Sequence, residues 1–249
     1  MDVAEGGNMA ILAGAGPMGL GAVDYAIHRD RKPKLLVVTD IDRARLDRAA
    51  SIYTVADAKA NGVELVYLDT SDKGSTEELM GLSGGRGYDD VFVLAYVAPV
   101  VEQGDRILAR DGCLNFFAGP TDPSFSARFN FYNAHYASTH VVGTSGGNVD
   151  DMRESLALIA DGRIDPAGMV THVGGLNAVA HATLNLPEIR GGKMLMYTHI
   201  EMPLTAIADF ASLGESDAML ARLGEICAAN KGLWCAEAER YLLSAAPSI

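Results

Sequence analysis

Short, near-continuous apolar runs alternate with longer stretches whose apolar residues recur at helical spacing, the pattern of repeated strand–helix–strand units. The runs at residues 9–13, 35–39, 64–68, 90–94, 113–117 and 140–143 predict strands, and the spacing predicts helices over 18–28, 42–50, 75–80, 97–108 and 152–160. Turn signals at Arg110-Asp111-Gly112 and Asp161-Gly162 close the last two helices. Runs that are apolar at consecutive positions suit parallel strands covered on both faces, so the reading is α/β with a doubly wound, parallel, six-stranded sheet. Beyond Asp165 the pattern changes to an apolar stretch at 169–173, a helix around 177–184 and a further apolar run at 193–200. An alanine-rich tail follows, with helical spacing over 204–213, 217–229 and 236–243, and Trp234 reads as an anchor for its packing. The expected division is a sheet domain over residues 1–200 and a helical extension over 201–249.

The first run breaks into Gly14-Ala15-Gly16-Pro17-Met18-Gly19 and then becomes helical, while the next strand ends on an acid, Asp40. Strand, GxGxxG turn, helix and distal acid together form a dinucleotide-binding signature. Gly14 permits the tight turn, Gly16 lacks the Cβ that would block a pyrophosphate, and Gly19 allows close helix packing. Gly14, Gly16, Pro17, Met18 and Gly19 therefore hold the pyrophosphate at a helix N-terminus, where unpaired N–H groups and the helix dipole replace lost water. Asp40 is expected to accept the ribose hydroxyls and to repel a 2′-phosphate, which favours NAD over NADP. Arg43 and Arg45 keep NADP as the minor alternative. In an open parallel sheet the ligand lies beyond the carboxyl ends of the strands, so the small-residue loops at 95–99, 118–122 and 144–147 are further candidate ground.

With 249 residues, 49% of them apolar, the chain can bury one large core, or one core and a small appendage. A net charge of −12 and the lack of a basic stripe exclude nucleic acid and anionic membranes as expected partners. No apolar run approaches the roughly 20 residues of a membrane helix, and no basic, then apolar signal segment opens the chain, so a cytoplasmic location is expected. Cys113, Cys227 and Cys235 form no CxxC and read as reduced, mostly buried thiols. The histidines are scattered without a compact metal pattern, and His135, His140 and His172 read as locally satisfied strand-end residues; no metal site is expected in this chain.

From Gly14 to Ile200 the sequence resembles the medium-chain dehydrogenase/reductase superfamily of zinc-dependent alcohol and polyol dehydrogenases, whose C-terminal half is a Rossmann domain. The turn, Asp40, Gly162-Arg-Ile-Asp-Pro166, Val170-Thr-His-Val173 and Gly192-Lys-Met-Leu-Met196 occur in that order. The tail segment from Asn230 to Glu239 resembles the L-sorbose-1-phosphate reductase subgroup. The resemblance implies hydride transfer between a nicotinamide cofactor and a carbinol or ketone of an alcohol, polyol or sugar phosphate, with zinc polarising the oxygen. It also implies that Ala95, Ala118, Gly119, Thr144 and Ser145 line the nicotinamide side and that homodimers pair through the edge strand at 140–143. The zinc ligands of the family precede the glycine turn, where this chain has only thirteen residues before Gly14. The reading is therefore a cofactor half, truncated with respect to the zinc domain, that binds NAD and is inactive alone, with no catalytic residue of its own.

Competing motifs are weaker. The chain lacks the GxxGxxxxxK lysine of β-hydroxyacid dehydrogenases, and no tyrosine has a lysine four residues on, as short-chain dehydrogenases require. A non-catalytic NAD-binding sensor or interaction protein is the alternative from outside the enzymes.

Overall fold

β1 (Asn8–Leu12) and β2 (Leu35–Asp40) are buried at every position, so both of their faces are covered. In this computed structural model, which describes residues 3–72, 74–143, 145–189 and 191–249, the chain divides into two units at Asp165/Pro166. In the first unit β1 and β2 lie in a sheet with β3 (Glu64–Asp69), β4 (Tyr88–Val93), β5 (Leu108–Phe116) and β6 (His140–Gly143). The order is β3-β2-β1-β4-β5-β6 and every pairing is parallel. This is the doubly wound Rossmann order, and the winding reverses between β1 and β4.

α1 (Pro17–His28) follows β1, with Pro17 in its first turn, where a missing N–H costs nothing. Its apolar side, Leu20, Val23, Ala26 and Ile27, is buried. α2 (Arg43–Ile52) follows β2 and is capped by the Asp42 carboxylate, which accepts the Arg45 N–H. α4 (Ser75–Leu82) and α5 (Ala98–Arg106) connect β3 to β4 and β4 to β5. Leu79 and Val101 from these two helices join Ala10, Leu12, Val37, Val91 and Leu114 in one buried cluster. α7 (Val149–Ala160) opens on a reciprocal capping box between Asn148 and Asp151.

Local chemistry adds elements that periodicity does not announce. α3 (Val55–Ala60) is capped by the Thr54 hydroxyl, and α6 (Phe131–Tyr136) by the Asn130 side chain. α5 stops at Arg106, short of the expected residue 108, and β5 begins at Leu108, ahead of the expected 113. The anticipated turn at Arg110-Asp111-Gly112 is absorbed into β5 as an irregularity, with Asp111 at φ +62° and the β4–β5 register shifting between Tyr88 and Asp90.

The second unit is built on β7 (Val170–Gly175), β8 (Lys193–Tyr197) and β9 (Thr205–Ala206), in the order β8-β7-β9. α8 (Val179–Leu184) links β7 to β8. The run at 193–200 thus pairs with β7 inside this unit, and the division at 165 precedes the expected one at 200 because β7 and β8 bond to each other and to β9. The stretch expected to be helical over 204–213 opens instead as β9, antiparallel to β7, before a 3-10 turn and the short α9 (Phe210–Leu213). α10 (Ala218–Ala229) and α11 (Ala236–Ala245) complete the helical tail. Phe210, Leu223, Ile226, Trp234 and Leu242 form its core together with Val173. The Trp234 indole donates to the Tyr197 hydroxyl at 3.0 Å, and that hydroxyl donates to Glu239 at 2.5 Å. No helix among the described residues is long and apolar enough to cross a membrane.

Candidate cofactor site

The turn after β1 sits at the carboxyl edge of the sheet, next to the point where the winding reverses. Its glycines divide into two kinds. A Cβ on Gly19 would lie 1.9 Å from the Gly14 carbonyl oxygen, and one on Gly14 would lie 2.6 Å from Ile11 Cγ2. These two glycines let the turn and the first turn of α1 interlock. Gly16 is different, because a Cβ there would meet no protein atom within 4 Å. It is the N-cap of α1, no side chain caps the helix, and no acid occupies the first turn. The open space and uncapped N–H groups are what an anion needs at a helix N-terminus. Met18 is exposed beside them, and Pro17 is half-buried.

The turn is tied to the end of β2. The Gly14 N–H donates to the Thr39 carbonyl at 2.7 Å, the Ala13 N–H to Thr39 Oγ1 at 3.3 Å and the Ala15 N–H to Asp40 Oδ2 at 3.2 Å. Asp40 Oδ1 also accepts the N–H groups of Ile41 and Asp42, at 2.9 and 3.1 Å. Asp40 is 6% exposed, and its carboxylate is oriented by three backbone donors. A carboxylate offers about four acceptor positions, and donors among the described residues fill two on Oδ1 and one on Oδ2.

Charged groups of both signs flank Asp40. Asp69, its register partner on β3, has an exposed carboxyl held below the usual carboxylate range, chiefly by hydrogen bonds from Ser71. Arg43 binds Asp47 at 2.9 Å, and Arg45 lies 3.5 Å from Asp42.

The other predicted loops occupy the same edge. The Leu94 N–H donates to the Leu12 carbonyl at 3.0 Å and carries the β1–β4 ladder up to half-buried Ala95. The N–H groups of Phe117 and Ala118 both donate to Val93 at 3.1 Å, which buries Ala118 and leaves Gly119 exposed, with no protein atom within 4 Å of an added Cβ. Ser145 is exposed past the end of β6, and Thr144 lies outside the described residues. Thr39 escaped sequence reading, because its position identifies a strand end and not a side chain turned toward β1.

The groups read as structural have local partners. His140 Nε2 is 2.9 Å from Asp111 Oδ1, His172 Nδ1 is 2.9 Å from Thr171 Oγ1, and His135 packs edge-on against Tyr136. Burial lowers the His172 pKa, whereas it raises the Cys113 thiol and pushes Cys227 up to about 11. Cys113 and Cys227 are buried and Cys235 half-buried, all as free thiols. No group of three or more His, Cys, Asp or Glu among the described residues could hold a metal ion.

Parallel strands in Rossmann order, with a glycine turn at the reversal and an acid closing the neighbouring strand, define the dinucleotide-binding class of α/β domain. The chain belongs to the zinc-binding dehydrogenase family, which it matches over residues 17–161. It is 55% identical over 244 residues to the mannitol-1-phosphate 5-dehydrogenase of Aliivibrio fischeri, covering 98% of this chain and 58% of that protein. It is 44% identical over 249 residues to the L-sorbose 1-phosphate reductase of Klebsiella pneumoniae, covering 100% and 58%. The chain thus spans 58% of the length of each of these two relatives. Among solved structures it shares its fold with a zinc-binding dehydrogenase of Sinorhizobium meliloti bound to NADP, with a TM-score of 0.64 and 21% identity over 79% of this chain and 54% of that one.

Proposed function

We propose that this chain is the nicotinamide-cofactor-binding portion of a polyol or sugar-phosphate oxidoreductase and that it takes NAD in preference to NADP. The observation that carries the reading is the pairing of Gly16, with open space at an uncapped helix N-terminus, with Asp40, a buried carboxylate that accepts only one N–H on Oδ2 among the described residues. In this reading the N–H groups of Met18 and Gly19 receive the pyrophosphate, Gly16 and Pro17 form its floor, and Asp40 Oδ2 accepts a ribose hydroxyl. Asp42 and Asp69 add negative charge, while Arg43 and Arg45 are engaged by neighbouring carboxylates, which supports discrimination against a 2′-phosphate. Ala95, Ala118, Gly119 and Ser145 flank the nicotinamide end, where small side chains admit a flat ring.

When bound, the cofactor supplies hydride transfer to or from a substrate carbon. The chain's own residues contribute binding and orientation. The names of the two relatives support a sugar phosphate or its polyol as substrate. The edge position of β6 is where a second copy would pair in a homodimer.

Calorimetric titration of the 249-residue chain with NAD and NADP, beside Asp40→Ala, tests this reading. The expected result is tighter binding of NAD, weakened at least about tenfold in the variant. Equal affinity for both dinucleotides, or no effect of the substitution, would overturn it.

A further inference from the structure

We infer that Thr39 is a positioning residue for the pyrophosphate turn, an inference that rests on the cofactor reading above. The β1–β2 register runs only to Ile11↔Val38, and beyond it three successive N–H groups, those of Ala13, Gly14 and Ala15, turn toward Thr39 and Asp40. Along a regular strand successive N–H groups point to opposite sides, so this arrangement requires the chain to curl. The curl is at Ala13, whose φ of +54° lies in the left-handed region, unfavourable for a residue with a Cβ and kept only where surrounding contacts hold it.

The contact that holds Ala13 itself is the Thr39 hydroxyl, on a residue 2% exposed. The two other links use the Thr39 carbonyl, which any residue supplies, and the Asp40 carboxylate. The hydroxyl is therefore the part of Thr39 that side-chain chemistry can remove. Without it, the Ala13 N–H loses its acceptor, the curl relaxes, and Gly16 with the first turn of α1 shifts away from the phosphates. The adenosine end, read by Asp40, stays in place.

The test compares the full chain with Thr39→Val, which keeps the shape and removes the acceptor, and Thr39→Ser, which keeps the acceptor. NAD affinity is measured by calorimetry, and adenosine affinity by NMR shift titration. The expected result is a loss of about tenfold for NAD in the valine variant, unchanged adenosine binding, and recovery in the serine variant. Thr39→Ala, which removes the same acceptor, replaces the valine variant if circular dichroism shows that one unfolded. NAD binding unchanged in the acceptor-less variant overturns the inference alone, as does an equal loss for NAD and adenosine. An unmodified chain that binds no dinucleotide overturns the cofactor reading and the inference together.

Discussion

Gly16 and Gly19 stand three positions apart in one turn, yet the absence of a side chain serves opposite purposes at the two sites. Gly19→Ala would drive a Cβ to 1.9 Å from the Gly14 carbonyl, so it is expected to destabilise the chain by about 1–3 kcal/mol in a denaturant titration. Gly16→Ala meets no protein atom, and its φ of −79° is open to alanine. Its stability is expected to stay within about 0.5 kcal/mol of the unmodified chain, while NAD affinity falls by at least about tenfold. A Gly16→Ala variant that binds NAD normally would remove the pyrophosphate from this place. The motif itself was legible in sequence, because the demand for glycine is local. The division of roles, Gly14 and Gly19 for the protein and Gly16 for a ligand, was legible in the motif as well, and only the atoms an added Cβ would meet needed the fold.

Among the elements, the end of α1 shows how a helix is fixed by partners far along the chain. Asp24 accepts the Asp165 N–H at 2.7 Å, pairs with His28 Nδ1 at 2.7 Å and accepts the Tyr53 hydroxyl. Arg163 holds the His28 carbonyl and, at 2.8 Å, Asp30. Burial raises the Asp24 carboxyl above its ordinary value of 3.8, opposed by the Asp165 N–H and by His28. The folded state then holds its proton more tightly than the unfolded chain. The stability this group contributes is full below pH 3.8 and is lost as the pH climbs through the raised folded value. Asp24→Asn, which keeps an acceptor for Asp165, removes that dependence. The difference in unfolding free energy between the unmodified chain and the variant should therefore shrink as the pH rises above 3.8, and a flat difference would contradict the assignment. The long, periodic elements of the first unit were readable in the sequence. α3 and α6 were not, since each is a single capped turn or two too short for a period to show. β9 looked helical because its pairing with β7 overrides the local spacing.

For the molecule as a whole, the two units each carry a buried apolar cluster of their own, and the chain's single tryptophan, Trp234, belongs to the second. NAD at about a hundred times its dissociation constant should stabilise the unit that binds it by about 2.7 kcal/mol. The expected outcome is a larger upward shift in the thermal transition followed by circular dichroism than in that followed by Trp234 fluorescence. The opposite order would place the cofactor on the second unit. By itself, the sequence determined the α/β class, the glycine turn, the acid closing β2 and the family resemblance, because these rest on period, backbone freedom and the order of motifs along one chain. Tertiary structure alone decided the division at Asp165, the β8-β7-β9 sheet, the backbone donor on Asp40 Oδ2 and the reach of the Thr39 hydroxyl to Ala13. Each of these depends on which strands become neighbours, and strand adjacency is set by burial summed over the whole core, which no local window of residues contains.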